Sequence, residues 1–172
     1  QSRPTGLCQQ SPGGAAARMN QGFAIMPLFQ PEYILKGIAV NGQGQRFIGE
    51  DSYHAFLGHE IAYNHKGVAY LLTDEQSSYR HRDHRIVVKH QADSVAGLET
   101  MGQFPEGALQ ATVDYYNRFA VDQRDPLYGK DAEYVAPLIK APFKLWDLSV
   151  DTAFFSMHTF GGHVGDAVRI AR

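Results

Sequence analysis

Cysteine is nearly absent from this 172-residue sequence: Cys8 stands alone. A lone cysteine excludes an internal disulfide and a zinc ribbon, so stability must come from packing, and a reducing, cytoplasmic setting is expected. Long apolar runs are missing too. None approaches the roughly 20 residues that a membrane helix needs, and no apolar segment follows basic residues near the start, so neither a membrane span nor an export signal is expected. An excess of charge of one sign is the third absence. The formal net charge of -2 and pI near 6.5 give no overall attraction to nucleic acid or anionic membrane. No Walker motif occurs, and no His-Glu-x-x-His. Gly42-Gln-Gly44 lacks the third glycine of a dinucleotide fingerprint and leads into Arg46-Phe47 instead of directly into a helix, so the usual grip on a nucleotide cofactor is not found.

With 44% apolar residues, the chain can bury one core and is expected to form one domain. Residues 1–22 are rich in Gly, Pro, Ser, Gln and Ala and read as a flexible lead-in, leaving 23–172 as the domain. The sequence starts at Gln1 and stops just after the strand-like Val168-Arg-Ile170, which suggests a piece of a longer polypeptide.

The organising stretch runs from Lys36 to His54. Ile38 and Val40 alternate with small neighbours as in a half-buried strand, and Asn41-Gly42 with Gly44 offers the positive-φ positions of a tight reversal. Glu50, Asp51 and Ser52 then supply acceptors for the free N–H groups of a helix over roughly Ser52 to Asn64, which presents Tyr53 and His54 from an anchored corner. Gly67 to Asp74 reads as a strand buried on both faces beside the Ile38 strand. Glu75 to Arg85 reads as a surface turn or short helix, and Ile86-Val-Val88 as a third strand. Asp93 or Ser94 caps a short helix with Val95, Leu98 and Met101 on one side, ending near Gly102. A further helix follows from Pro105 to about Val121, with Leu109, Val113, Tyr116 and Ala120 on its apolar stripe. Asp122 to Tyr134 is a polar link. Ala136 to Trp146 runs extended, its prolines fitting an edge strand. Strands and helices mix without regular βαβ alternation, so the expected class is α+β with a small mixed or antiparallel sheet packed with helices.

Eight histidines invite a metal reading, but His54 and His59 are five apart and His81 and His84 lie in a charged run, so no metal is expected. Glu50 is read either as an acceptor at the helix start or as a residue lining a cofactor or substrate cleft. Tyr53 is either a half-buried packing residue or a proton carrier, and His54 exchanges protons near neutrality without help. His158, beside the Thr159 hydroxyl and the backbone of Gly161 and Gly162, is the better binding candidate, because N–H groups there can meet a carbonyl or carboxylate oxygen.

Seven motifs in order then resemble one family: Gly37-Ile-Ala-Val-Asn41, Gly44-Gln-Arg-Phe-Ile-Gly-Glu50, Val68-Ala-Tyr-Leu-Leu-Thr-Asp74, Leu109-Gln-Ala-Thr-Val-Asp-Tyr-Tyr-Asn117, Asp125-Pro-Leu-Tyr-Gly129, Ala141-Pro-Phe143 and Thr159-Phe-Gly-Gly162. From about Ala16 to Arg172 the chain is similar to the fumarate reductase and 3-ketosteroid Δ1-dehydrogenase family of FAD-dependent oxidoreductases. The resemblance implies the capping domain of such a flavoprotein, closing over a flavin held mainly by an FAD-binding domain of the same parent chain, toward which residues 158–172 would return. It implies an activity that adds or removes two hydrogens across a C–C bond next to a carbonyl, with Tyr53 or His54 carrying the proton, and His158, Thr159, Gly161 and Gly162 at the substrate. Glu50 and Gly162 would lie at the cofactor.

The sequence departs from the fumarate reductases. Their catalytic arginine, four residues after the glutamate matched by Glu50, is His54 here. The Glu and Arg of their proton path fall near Gln30 and Tyr33, which speaks against a dicarboxylate reductase. Ketosteroid dehydrogenases place a tyrosine near this spot, and Tyr53 fills it within a one-residue shift. Phe154, Phe155 and Phe160 suit a larger apolar, steroid-like substrate or simple core packing. Alone, the piece is expected to be inactive and not to hold FAD, and a face uncovered by excision could make it dimerise. The alternative is a non-catalytic binding or interaction domain with the same fold.

Overall fold

The computed structural model of the chain describes residues 32–52, 54–78 and 86–152. Its elements follow as α1 (Glu32–Lys36), β1 (Ile38–Asn41), α2 (His54–Asn64), β2 (Ala69–Thr73), β3 (Val87–Ala92), α3 (Val95–Met101), α4 (Ala108–Ala120), one 3-10 turn (Ala132–Tyr134) and β4 (Phe143–Asp147). The strands form one sheet in the order β1-β2-β4-β3 with every pairing antiparallel. The class is α+β, as the sequence leads one to expect.

Side chains alternate across the sheet because successive Cβ atoms point to opposite faces. Ile38, Val40, Leu72, Phe143 and Leu145 pack with α3 and α4 in one apolar cluster. Ala39, Ala69, Leu71, Trp146 and Leu148 pack with Leu57 and Ile61 of α2 in another. The sheet is therefore the middle of three layers, so β2 is buried on both faces as expected, and β1, read from its alternation as half-buried, is buried on both faces as well. The stripe of α4 is the expected one: Leu109, Val113, Tyr116 and Ala120 are buried. Full burial of residues such as Leu109 and Val113 contributes about 1.5–3 kcal/mol each.

Three boundaries differ from the sequence expectation. First, β4 lies between β2 and β3, not at an edge. Pro137 and Pro142 both precede Phe143, so the ladder starts after the last residue unable to donate. Second, α4 begins at Ala108, three residues beyond Pro105. Gly107 turns the chain at φ +76 and has no side chain to cap with. The cap comes from Glu99 on α3, whose carboxylate accepts from the N–H groups of Gly107 (2.7 Å), Leu109 (2.9 Å) and Gln110 (3.2 Å). Third, α2 begins at His54, two residues later than Ser52. Ser94 caps α3 as expected by accepting from Gly97 N–H at 3.1 Å, but Met101 at the far end is exposed.

Candidate functional site: a corner clamped by buried charges

The turn between β1 and α2 is fixed by local chemistry. Asn41 Oδ1 accepts from the N–H groups of Gln43 and Gln45, and Gly44 N–H donates to Asn41 O at 3.0 Å. Of the turn glycines only Gly44 takes a positive φ, +72. A Cβ there would sit 3.0 Å from Leu109 N, so the turn lies directly against the start of α4. Thr112 Oγ1 ties the two by donating to Gly44 O at 2.7 Å.

Beyond this turn the chain buries four charges. Arg46 Nε and Nη2 donate to the two oxygens of Glu50 at 2.9 and 2.7 Å, and Nη2 also pairs with Asp125 Oδ2 at 2.8 Å. Lys130 Nζ pairs with Glu50 Oε2 at 3.1 Å and donates to Gly37 O at 2.7 Å. Glu50 Oε1 also accepts from Ala39 N–H of β1 at 2.7 Å. Exposure is 8% for Arg46, 0% for Glu50 and 4% for Lys130, so these charges are held by each other and not by water. Two cations and two anions cancel, which makes the burial tolerable. Burial works against the Arg46 charge, but the hydrogen bonds and charges of Glu50 and Asp125 outweigh it and hold the guanidinium above its ordinary pKa. For Lys130 burial prevails over the pull of Glu50, and its pKa falls. Burial pushes the Asp125 carboxyl up, and Arg46 together with the N–H groups of Lys130 and Tyr128 more than reverses it.

The cluster locks two distant segments together. Tyr128 hydroxyl donates to Arg46 O at 2.9 Å, and Asp131 N–H donates to Asp51 Oδ2 at 2.8 Å, so the 125–131 loop is fastened along the corner. The Arg46 guanidinium lies 5.2 Å from the Tyr116 ring centre. Tyr116 hydroxyl is buried without a hydrogen-bond partner among the described residues. Burial raises its pKa, so it stays a neutral phenol.

Two of the acceptors expected to cap α2 are engaged elsewhere: Glu50 with β1 and the cations, Asp51 with Asp131. Of the candidate site residues, Glu50 is therefore the hub of the clamp, and His54 is the first residue of α2. Tyr53, His158, Thr159, Gly161 and Gly162 lie outside the described residues, as do the side chain of His54, the 1–22 lead-in and residues 158–172. Arg46, Asp125 and Lys130 were not singled out from the sequence. Lys130 meets Gly37 across 93 positions, and nothing local in the polar link marks it as a buried cation. Among the described histidines, His59 stacks on Tyr63 and His65 packs against Phe47, each at 4.3 Å between ring centres. No group of three His, Cys, Asp or Glu among the described residues is placed to hold a metal, and no described helix is long and apolar enough to cross a membrane.

No family model matches the chain. Over 65 residues, 38% of this chain and 12% of the relative, it is 40% identical to a 3-oxo-5-alpha-steroid 4-dehydrogenase of Comamonas testosteroni. Among solved structures it is similar to the 3-ketosteroid-Δ4-(5α)-dehydrogenase from Rhodococcus jostii RHA1 in complex with 4-androstene-3,17-dione. That match has a TM-score of 0.64 and 36% identity over 71% of this chain and 26% of the other. The solution structure of a fumarate reductase flavoprotein subunit from Lactobacillus plantarum shares the fold at 18% identity and a TM-score of 0.54, covering 77% of this chain and 90% of that one. The chain thus spans about an eighth and a quarter of the two steroid dehydrogenases. It shares the α+β fold of the ketosteroid dehydrogenase and fumarate reductase flavoprotein structures that it matches.

Proposed function

We propose that this chain is the lid of a flavin-dependent oxidoreductase that removes or adds two hydrogens across a C–C bond beside the carbonyl of a 3-ketosteroid-like molecule. The observation that carries this reading is the 36% identity kept over 71% of the chain with a solved ketosteroid dehydrogenase. FAD, when bound by sequence outside this chain, supplies the hydride chemistry. The lid covers the substrate, excludes water and handles the proton.

The proton carrier is at the start of α2. The free N–H groups of a helix start favour an anion over a cation. That favours Tyr53, which becomes an anion on giving up its proton, over His54, which becomes a cation on accepting one. His158, with Thr159 and the backbone of Gly161 and Gly162, receives the substrate carbonyl oxygen. Glu50 acts on the site through the corner it holds, where its oxygens accept from Ala39, Arg46 and Lys130.

The test is single-turnover kinetics of the longer polypeptide, this sequence with its flanking regions, purified with its flavin. Tyr53→Phe is expected to slow reduction of the flavin by a saturated 3-ketosteroid by about 10²-fold or more, the usual scale of proton-transfer catalysis. Unchanged rates in both Tyr53→Phe and His54→Ala would remove the assignment.

A further inference from the structure

A groove of about 360 Å³ runs between one face of α4, the Gln45–Arg46 end of the corner and the 124–127 loop. Its size falls within the range of small-molecule sites. The α4 positions that line it (108, 111, 112, 115, 116 and 119) recur at helical spacing, so the groove follows one stripe of the helix. Ala108 and Ala111 leave the space open, Tyr115 and Phe119 wall it with rings whose centres are 5.3 Å apart, and Pro126 and Leu127 face them from the loop.

Two cations line this mostly apolar space. Arg124 makes no ion pair with a described residue. Arg46 is more than nine-tenths buried. Its Nε and Nη2 are taken by Glu50 and Asp125, and its Nη1 makes no hydrogen bond to a described residue. Asp125 contributes one negative charge, but its oxygens already accept from Arg46 and from the N–H groups of Leu127, Tyr128 and Lys130. With Glu50 and Lys130 cancelling behind it, the groove is left with one net positive charge and donors without acceptors.

We infer that this groove binds a flat apolar molecule carrying a single carboxylate or sulfonate, with its rings against Tyr115 and Phe119 and its anion between Arg124 and Nη1 of Arg46. Neither the flavin nor the steroid reading is needed for it, so the two stand or fall separately.

The probe is 2-naphthoate, with the neutral 2-naphthamide as control, titrated into the 172-residue chain and followed by backbone amide NMR. Saturable shifts are expected at residues 45–46, 108–119 and 124–127, with the amide binding at least tenfold more weakly. Arg124→Ala, at an exposed position, should remove most of that preference. Ala111→Trp, also at an exposed position, should fill the groove and abolish binding of both probes without moving the unfolding midpoint. Shifts that do not saturate or that lie elsewhere, equal binding of the two probes, or undiminished binding to Ala111→Trp would overturn the inference. If Ala111→Trp failed to fold, an unchanged naphthoate preference in Arg124→Ala would overturn it alone.

Discussion

Glu50 sits at zero exposure because four donor contacts from Ala39, Arg46 and Lys130 replace the water it gave up. Such a cluster adds little net stability, but removing one partner strands the others. Glu50→Gln or Lys130→Met is therefore expected to cost about 3–5 kcal/mol in urea unfolding. The double substitution should cost clearly less than the sum, since it removes one charge of each sign and leaves Arg46 with Asp125. Additive losses would show that the four charges do not act as a unit. Glu99 is a second residue whose charge matters. The N–H groups of Gly107, Leu109 and Gln110 favour its carboxylate and hold its pKa below the usual carboxylate value against the effect of burial. Where the folded pKa is depressed, the stabilisation is present above the unfolded value near 4.5 and is lost as pH falls through the folded one. Glu99→Gln is expected to lose about 1 kcal/mol at pH 7, as for other lost helix caps. Its unfolding midpoint should also fall less steeply than that of the parent chain below pH 4.5. Parallel pH curves would contradict the capping role.

Elements whose periodicity is strong were legible from the sequence. The α4 stripe from Leu109 to Ala120 and the β1–β2 pairing stand as expected, because one pattern and its burial agree there. The position of β4 was not legible, since prolines argue against a central strand only where they fall inside it, and Pro142 falls one residue before. The start of α4 was missed for a different reason: its cap comes from another helix, and a Gly107 turn carries no side-chain signal. The clamp at the corner was half legible. Arg46 and Glu50 are four residues apart in one motif, but Asp125 and Lys130 arrive from a stretch that reads only as a polar link. At this scale the sheet order makes its own prediction. The β2 and β4 amides, hydrogen-bonded on both sides, should exchange with deuterium most slowly. Those of the edge strand β3, where Val87 and Val88 are exposed, should exchange sooner. Equal protection of β3 and β4 would contradict the order β1-β2-β4-β3.

The described residues form three layers, and the same fold makes up 90% of the Lactobacillus plantarum chain, so this architecture can stand as a folded unit by itself. What it offers as a unit is a corner between β1 and α2 clamped by largely buried charges. The proposed lid reading depends on such a corner, because a proton carrier has to be placed over its substrate. The most direct measurement is anaerobic visible absorbance of the longer polypeptide during addition of a saturated 3-ketosteroid. The account expects bound oxidised flavin that is bleached by the steroid, with bleaching at least 10²-fold slower in Tyr53→Phe. A preparation with no flavin, or one whose flavin spectrum the steroid leaves unchanged, would contradict it.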